Sequence, residues 1–315
     1  MIEAVGLSKR YGKTLAVDDL TFTVQPGRVT GFLGPNGAGK STTMRMILGL
    51  DSPTGGHVDI DGQKYRQLHQ PLRKIGALLD AKWVHPNRSA RAHLRWLAKS
   101  NKLPAKRVDE VLEQVGLTDV ANRRAGGFSL GMSQRLGIAA ALLGDPEILL
   151  FDEPVNGLDP EGILWIRRFM HRLADEGRTV FVSSHLLSEM ALTAQELVVI
   201  GRGKLIAQCS TEEFVAKATE SSVLVRSPQL PQLRSALGQK GASLRDEGES
   251  LYVSGMEIED IGDLAATNGI TLHELSPQRG SLEEAFIQLT GDSVEYHAAL
   301  SPTDEVAADL APTGK

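Results

Sequence analysis

The chain begins with alternating apolar and polar residues, a pattern that predicts β-strands. It runs through IEAVGLSKRYG and LAVDDLTFTVQPG, and glycine or proline ends each segment. RVTGFLGP predicts a short buried strand that leads into a glycine-rich turn, and KSTTMRMILGL predicts the helix after it. GGHVDIDG and IGALLDA predict two further strands. The first part of the chain therefore indicates strands around one glycine-rich turn.

Between about 85 and 145 the apolar spacing becomes helical, in ARAHLRWLAKS, AKRVDEVLEQVG and SQRLGIAAALLG. Because strands and helices alternate on either side, we expect a helical subdomain inserted in an α/β core. After it the pattern predicts the strand ILLFDEP, a helix over Ile163–Glu176, the strand TVFVSS, a short helix, and the strand pair ELVVIGRG and KLIAQCS. We expect this first domain to span 1–220 and its core to close near Ala218.

A second unit follows over 221–292. SSVLVRSP, LPQLRSALGQKG, SLRDEGESLYVSG, IEDIGDLAATNG and ITLHELSP predict a strand, a helix, a hairpin, a helix and a strand. This order is typical of a small ferredoxin-like α+β module, with SLEEAFIQLTG as a closing helix. The Ala/Pro/Thr-rich tail over 293–315 is expected to be disordered.

Composition narrows the functional class without identifying it. The 315 residues are 41% hydrophobic and 23% charged, which is ordinary for a soluble globular protein. A net charge of -5 gives no general attraction to nucleic acid, so we expect no nucleic-acid partner. The single cysteine, Cys209, cannot form an internal disulfide, which fits a reducing cytoplasm. No signal sequence is evident and no apolar run reaches about 20 residues, so action at a membrane would require a partner.

GPNGAGKST matches the phosphate-loop (Walker A) pattern at every fixed position. Glycines let backbone N–H groups turn inward around a phosphate, and the following helix adds its positive end. Lys40 would contact the β- and γ-phosphates of ATP, and Ser41 would ligate Mg²⁺. The alternative is a glycine-rich turn that merely caps a helix, which the long match disfavours. The predicted ATP-binding loop consists of Gly34, Pro35, Asn36, Gly37, Ala38, Gly39, Lys40, Ser41 and Thr42.

Two carboxylates follow the apolar run of ILLFDEP. A buried strand that ends in acidic residues suits a site at the edge of a parallel sheet. Asp152 would hold Mg²⁺ directly or through water, and Glu153 would polarise the attacking water. Acidic residues also end strands simply to reach solvent, but the phosphate loop requires a partner of this kind.

With FSLGMSQRL just upstream of these carboxylates, the chain over residues 1–220 resembles the ATP-binding cassette (ABC) ATPase family. The resemblance implies a P-loop NTPase fold in which Ser129 and the Gly131 backbone contact the γ-phosphate bound to a second copy. Read without the family, Ser129 is an ordinary N-cap. Leu130 stands where glycine is usual and Met132 where glutamine is usual, which indicates a subtype.

The same resemblance assigns other positions. Tyr11 would stack on adenine, although a strand-packing tyrosine is the simpler interpretation. Asp159, in NGLDP, would couple two sites across a dimer, and His185 would be the switch histidine at the γ-phosphate. Alone, His185 and Glu189 could form a metal pair or a surface ion pair, but no third ligand is evident. Asp80 stands where the family has a glutamine that touches Mg²⁺ and the membrane partner, so it would ligate Mg²⁺ or shift nucleotide exchange.

The resemblance implies a membrane-associated ATPase with catalytic residues Lys40, Glu153 and His185. It would use ATP and Mg²⁺, pair with a second ATP-binding subunit, and lie on the inner face of the cell membrane against transmembrane permease subunits. IGALLDA, FSLGMSQRL and SLEEAFIQLTG resemble the ATPase subunits of daunorubicin- and bacitracin-type drug exporters, which implies export. The alternative is a soluble non-transport ABC ATPase or a nucleotide-sensing subunit. The second unit would stabilise the dimer or regulate it.

Overall fold

A computed structural model of the chain describes residues 1–80, 83–218, 222–248 and 250–278, together with Leu282 and Phe286. The strands in this part of the chain are β1 (Ile2–Tyr11), β2 (Thr14–Val24), β3 (Arg28–Leu33), β4 (Gly55–Ile60), β5 (Ile75–Leu78), β6 (Ile148–Asp152), β7 (Thr179–Ser184), β8 (Glu196–Gly201), β9 (Lys204–Ser210), β10 (Ser222–Arg226), β11 (Ser243–Glu247), β12 (Ser250–Ser254) and β13 (Glu274–Gln278). The helices are α1 (Lys40–Ile47), α2 (Pro71–Lys74), α3 (Ala90–Ser100), α4 (Arg107–Gln114), α5 (Leu130–Leu142), α6 (Pro160–Asp175), α7 (Leu187–Ala191), α8 (Thr211–Ala218), α9 (Leu230–Gln239) and α10 (Ile258–Thr267).

A six-stranded sheet forms the centre of the first unit, in the order β5-β6-β7-β3-β8-β9. Its strands run parallel except for β9, which pairs antiparallel with β8. All residues of β7 are buried, as expected for a strand covered on both faces. The carboxyl ends of β3, β6 and β7 therefore lie side by side at one edge of the sheet.

A separate antiparallel sheet, in the order β2-β1-β4, covers one face. The ring centroid of Phe22 on β2 lies 5.7 Å from that of Phe32 on β3 and 5.7 Å from that of Phe181 on β7. The same core holds Met44 and Ile47 of α1. The alternation in the sequence predicted these strands, but it did not predict that they form a sheet of their own.

Helices α3 to α6 lie on the other face and share one core with the central sheet. The Ser89 hydroxyl accepts a hydrogen bond of 3.2 Å from the Ala92 N–H and so caps α3. The apolar stripes of α3, α4 and α5 face inward, with Leu94, Leu112 and Leu136 fully buried. The helical segment that the sequence predicted is therefore present as three helices.

The second unit has the order β10-α9-β11-β12-α10-β13. Its four strands pair in the order β11-β12-β10-β13, and every pairing is antiparallel. This is the ferredoxin-like arrangement that the sequence predicted. Its small core contains Val223, Val225, Leu233, Leu237, Leu251, Val253 and Ile261.

Two residues beyond β13 contact the first unit. Leu282 is 2% exposed and belongs to the core shared by the central sheet and its helices, together with Cys209 and Phe214. Phe286 packs against the same core. The chain therefore returns to the first unit at Leu282 and Phe286.

The structure confirms the predicted fold class, an α/β core with an inserted helical subdomain and a small α+β module. The helix predicted over Ile163–Glu176 begins earlier, at Pro160, because Asp159 caps it and proline suits the first helical position. The domain bounds remain predictions. The tail over 293–315 and most of SLEEAFIQLTG lie outside the described residues. Among the helices that the structure describes, none is long and apolar enough to cross a bilayer.

Candidate nucleotide-binding site

The phosphate loop connects β3 to α1 at the carboxyl edge of the central sheet. Gly39 has a φ of +103°, and a Cβ atom there would lie 2.6 Å from the Ala16 carbonyl oxygen. A side chain at this position would therefore strain the backbone and collide with β2. The loop borders a cleft of about 270 Å³, which is also lined by Ala16 and Glu153. Glycine at this position therefore lets the loop pass close to β2.

Lys40 lies folded into this loop. Its Nζ donates hydrogen bonds to the carbonyl oxygens of Gly34, at 2.6 Å, and Pro35, at 3.2 Å. Burial lowers the pKa of the Lys40 ammonium, while the charges of Glu153 and Asp152 act in the opposite direction. Because two neutral carbonyls solvate this buried cation, an anionic phosphate would be a stronger partner.

Asp152 connects the loop to the neighbouring strands. Its Oδ2 accepts a hydrogen bond of 2.8 Å from the Ser41 hydroxyl, and its Oδ1 accepts one from Ser183 on β7. Hydroxyl and carboxylate oxygens are hard ligands of the kind that Mg²⁺ prefers. The described residues contain no cluster of three or more His, Cys, Asp or Glu side chains suited to a metal. One carboxylate and one hydroxyl suit Mg²⁺, which keeps several waters and binds through one or two carboxylates and the substrate phosphates.

Glu153 and His185 form a pair at the same edge. The Glu153 Oε2 and His185 Nδ1 atoms lie 2.6 Å apart. Glu153 has a φ of +51°, and its N–H donates to the Ser183 carbonyl oxygen at 3.2 Å and to the Ser183 hydroxyl at 3.1 Å. The backbone thus holds a general-base candidate beside an imidazole. Glu189 pairs with Arg167 at 2.6 Å instead of with His185, so the structure does not form the alternative His185–Glu189 pair.

Ser129 and Asp159 both cap helices. The Ser129 hydroxyl accepts a hydrogen bond of 3.2 Å from the Met132 N–H, and the Asp159 Oδ1 accepts one of 2.9 Å from the Gly162 N–H. Both residues are exposed, and neither lines the cleft beside the phosphate loop of its own chain. The capping alternative for Ser129 is therefore observed, and the contact with a second copy remains a prediction.

Tyr11 and Asp80 are the least defined of the predicted site residues. The Tyr11 ring is 46% exposed, and its hydroxyl donates to Asp51 Oδ2 at 2.8 Å. Burial and the Asp51 carboxylate raise the pKa of Tyr11. Asp80 is exposed and follows β5, the strand beside β6. Adenine stacking by Tyr11 and magnesium binding by Asp80 remain predictions.

Sequence reasoning missed two residues that support the site. Ser183 contacts both acidic residues, and Gln134 on α5 donates from Nε2 to the carbonyl oxygens of Glu153 and Asn156, each at 3.3 Å. The serine pair in TVFVSS, next to ILLFDEP in the predicted sheet, was a usable signal for Ser183. The contacts of Gln134 depend on how α5 packs, and no pattern in the chain indicates them.

Comparison with known proteins supports the resemblance to ABC ATPases that the motifs indicate. A family model described as ABC transporter matches residues 17–156, and one described as a domain of unknown function (DUF8746) matches residues 221–283. The bacitracin transport ATP-binding protein BcrA of Bacillus licheniformis is 37% identical over 298 residues, which cover 92% of this chain and 97% of that protein. The Nod factor export ATP-binding protein I of Ralstonia nicotianae is 31% identical over 303 residues, which cover 92% of this chain and 94% of that protein.

One solved structure has a title that describes a dimeric post-hydrolysis state of an ATP-binding cassette bound to ADP and Pi. It is 26% identical to this chain, with a TM-score of 0.61, and the match covers 67% of this chain and 99% of the other. The match therefore spans about two thirds of the chain.

Proposed function

We propose, because this chain belongs to the ABC transporter family, that it powers export of a drug-like or lipid-like cargo through a separate membrane permease. As a member of that family, the chain binds ATP and hydrolyses it. The direction of transport and the class of cargo are our inference. They rest on similarity to relatives whose names state bacitracin transport and Nod factor export.

The observation that carries the proposal is that five side chains lie together at one edge of the central sheet. They are Lys40, Ser41, Asp152, Glu153 and His185. The hydrogen bond from Ser41 to Asp152 and the pairing of Glu153 with His185 place a candidate magnesium-binding pair beside the general-base candidate. Lys40, folded into the loop, would exchange its two carbonyl partners for the β- and γ-phosphates of ATP. This arrangement suits hydrolysis of a phosphoanhydride.

Magnesium would be held by Ser41 and Asp152, with Asp80 as a further candidate, and when bound it would neutralise phosphate charge. Glu153 would accept a proton from the attacking water. His185 would hold Glu153 in place and contact the γ-phosphate. Tyr11 would stack on adenine, and the backbone N–H groups of the loop would surround the β-phosphate.

A second copy would complete the site. Ser129 and Gly131 lie at the N-terminal end of α5, where backbone N–H groups favour an anion. Because Ser129 and Asp159 do not line the cleft of their own chain, we infer that they act on the nucleotide of a partner copy. ATP between two copies would hold them together, and hydrolysis would release them. The energy for transport would come from a difference in how tightly the two copies bind each other in the ATP and ADP states.

The permease is the partner that this proposal requires, and a pull-down from native membranes tests it. Tagged chain and its Glu153→Gln variant would be recovered from detergent-solubilised membranes and analysed by mass spectrometry. We expect a multi-span membrane protein in near-equal amount with the chain, and more of it with the variant in the presence of ATP. Recovery of soluble partners, ribosomes or DNA instead would contradict transport while leaving the ATPase assignment intact.

A further inference from the structure

Leu130 occupies an unusual place in the structure. It is the first residue of α5, directly after the capping residue Ser129, and its side chain is 46% exposed. A Cβ atom on Gly157 would lie only 2.5 Å from the Leu130 Cγ. Gly157 has a φ of +74°, a conformation that glycine adopts without strain. The Leu130 side chain therefore fills the space that any side chain at Gly157 would need.

The same end of α5 lies close to the segment 153–158 at two further points. A Cβ atom on Gly131 would lie 3.4 Å from Cδ2 of Leu158, which is ordinary van der Waals distance. One turn beyond Leu130, Gln134 donates to the carbonyl oxygens of Glu153 and Asn156. Residues four apart share a helix face, so Leu130 and Gln134 present one surface to the segment 153–158.

That segment is short and fixed at both ends. It begins at Glu153, where two hydrogen bonds from the backbone N–H to Ser183 hold the general-base candidate. It leads directly into Asp159, whose carboxylate caps α6. Since both ends are held, a shift of the middle of the segment must be taken up at Glu153 or at Asp159.

We propose that Leu130 is a positioning residue that transmits the engagement of Ser129 with the partner's nucleotide to Glu153 and Asp159 of its own chain. This rests on the proposed two-copy ATP site. Glycine at position 130 would keep the backbone N–H groups for the partner's phosphate but would leave the space above Gly157 empty. Leucine instead packs the N-terminal end of α5 directly against the segment 153–158. The departure from the common signature therefore couples these two parts of the chain.

Four full-length variants test this proposal: Leu130→Gly, Leu130→Met, Gly157→Ala, and the double variant Leu130→Gly/Gly157→Ala. We expect Leu130→Gly to lower kcat of ATP hydrolysis at least tenfold while KM for ATP changes less than twofold, because the nucleotide's own cleft is untouched. Leu130→Met, which keeps the volume, should retain at least half of kcat. Gly157→Ala should lower kcat because its methyl group displaces Leu130.

The double variant is decisive because both changes act on the one contact between Leu130 and Gly157. Its kcat should be no lower than that of the worse single variant, whereas losses at independent sites would multiply. Gly177→Ala is the matched control. Gly177 also has a positive φ, +87°, but a Cβ atom there meets nothing within 4 Å. Combined with Leu130→Gly, it should leave the kcat of that single variant unchanged.

A kcat for Leu130→Gly within twofold of wild type would overturn the proposal, as would multiplied losses in the double variant. Either result would leave export untouched, because export is judged by recovery of the permease from membranes. Conversely, the expected pattern of kcat values would support the role of Leu130 even if no permease were recovered. Thermal melting of each variant, together with its affinity for a fluorescent ATP analogue, would show that the chain is folded and binds nucleotide.

Discussion

At the scale of single residues, burial lowers the pKa of both Lys40 and His93, with different consequences. Lys40 finds two carbonyl partners and lies where a phosphate would replace them. His93 lies on α3 at 7% exposure, and its Nδ1 atom has no hydrogen-bond partner. The motif predicts Lys40 from the sequence alone. It could not predict that His93 is buried with an unpartnered Nδ1 atom, because this depends on packing within the helical subdomain.

His93 should make the protein less stable in mild acid. Burial lowers the pKa of its imidazole, and the charge of Arg88 lowers it further. The unfolded chain therefore binds more protons than the folded chain below about pH 6.5, so stability falls as the pH drops through that value toward the lowered pKa. The loss contributed by this one group is at most about 1.4 kcal/mol for each pH unit in that window.

Replacing His93 with leucine should reduce this decline. We expect His93→Leu to be at least as stable as wild type at pH 7.5, because it removes an unsatisfied buried nitrogen. Urea unfolding at pH 7.5 and pH 5.5 measures the effect, and His69→Leu, at an exposed histidine, is the control. An equal fall in the free energy of unfolding for wild type and His93→Leu would contradict this explanation.

At the scale of helices and strands, most elements could be predicted from periodicity, but their pairing could not. The alternation in β1, β2 and β4 is the same whether these strands join the central sheet or form their own. Ile2 pairs with both Val24 and Ile60, and this pairing places the three strands in a sheet of their own. The paired residues are far apart in the sequence, so local periodicity does not indicate it. Likewise, SLEEAFIQLTG predicts a helix, but nothing in it indicates that Leu282 enters the core of the first unit.

The return of Leu282 predicts that the two units depend on each other. Leu282→Ala should lower the free energy of unfolding of the full chain by about 2–5 kcal/mol, as for other buried leucines. The control is Leu192→Ala, since Leu192 is 59% exposed and should cost little. Urea unfolding followed by tryptophan fluorescence measures both, and equal values for the two variants would contradict the packing described here.

The same contact changes how the role of the second unit should be tested. We infer that this unit stabilises the dimer or regulates it. Deleting 221–315 would remove Leu282 and Phe286 from the core of the first unit as well. Substitutions on the surface of the second unit are therefore a cleaner test of its role than truncation.

At the scale of the whole molecule, the proposed function is that of a nucleotide-driven clamp. Each chain supplies the phosphate loop and the Glu153–His185 pair from one sheet edge, and Ser129 from the exposed end of α5. Motif order in the sequence predicted every member of this set. The contacts of Leu130 and Gln134 with the segment 153–158 could not be predicted, because they exist only once the loops have folded against each other.

If ATP joins two copies of the chain and hydrolysis separates them, the mass of the Glu153→Gln variant in solution should depend on ATP. Light scattering after size exclusion would be recorded with and without ATP and Mg²⁺, with Lys40→Ala/Glu153→Gln as the control. We expect the nucleotide to increase the fraction of particles of about twice the 34.0 kDa chain mass, and the control to show no such increase. If Glu153→Gln binds ATP and its mass distribution stays unchanged, the clamp is contradicted.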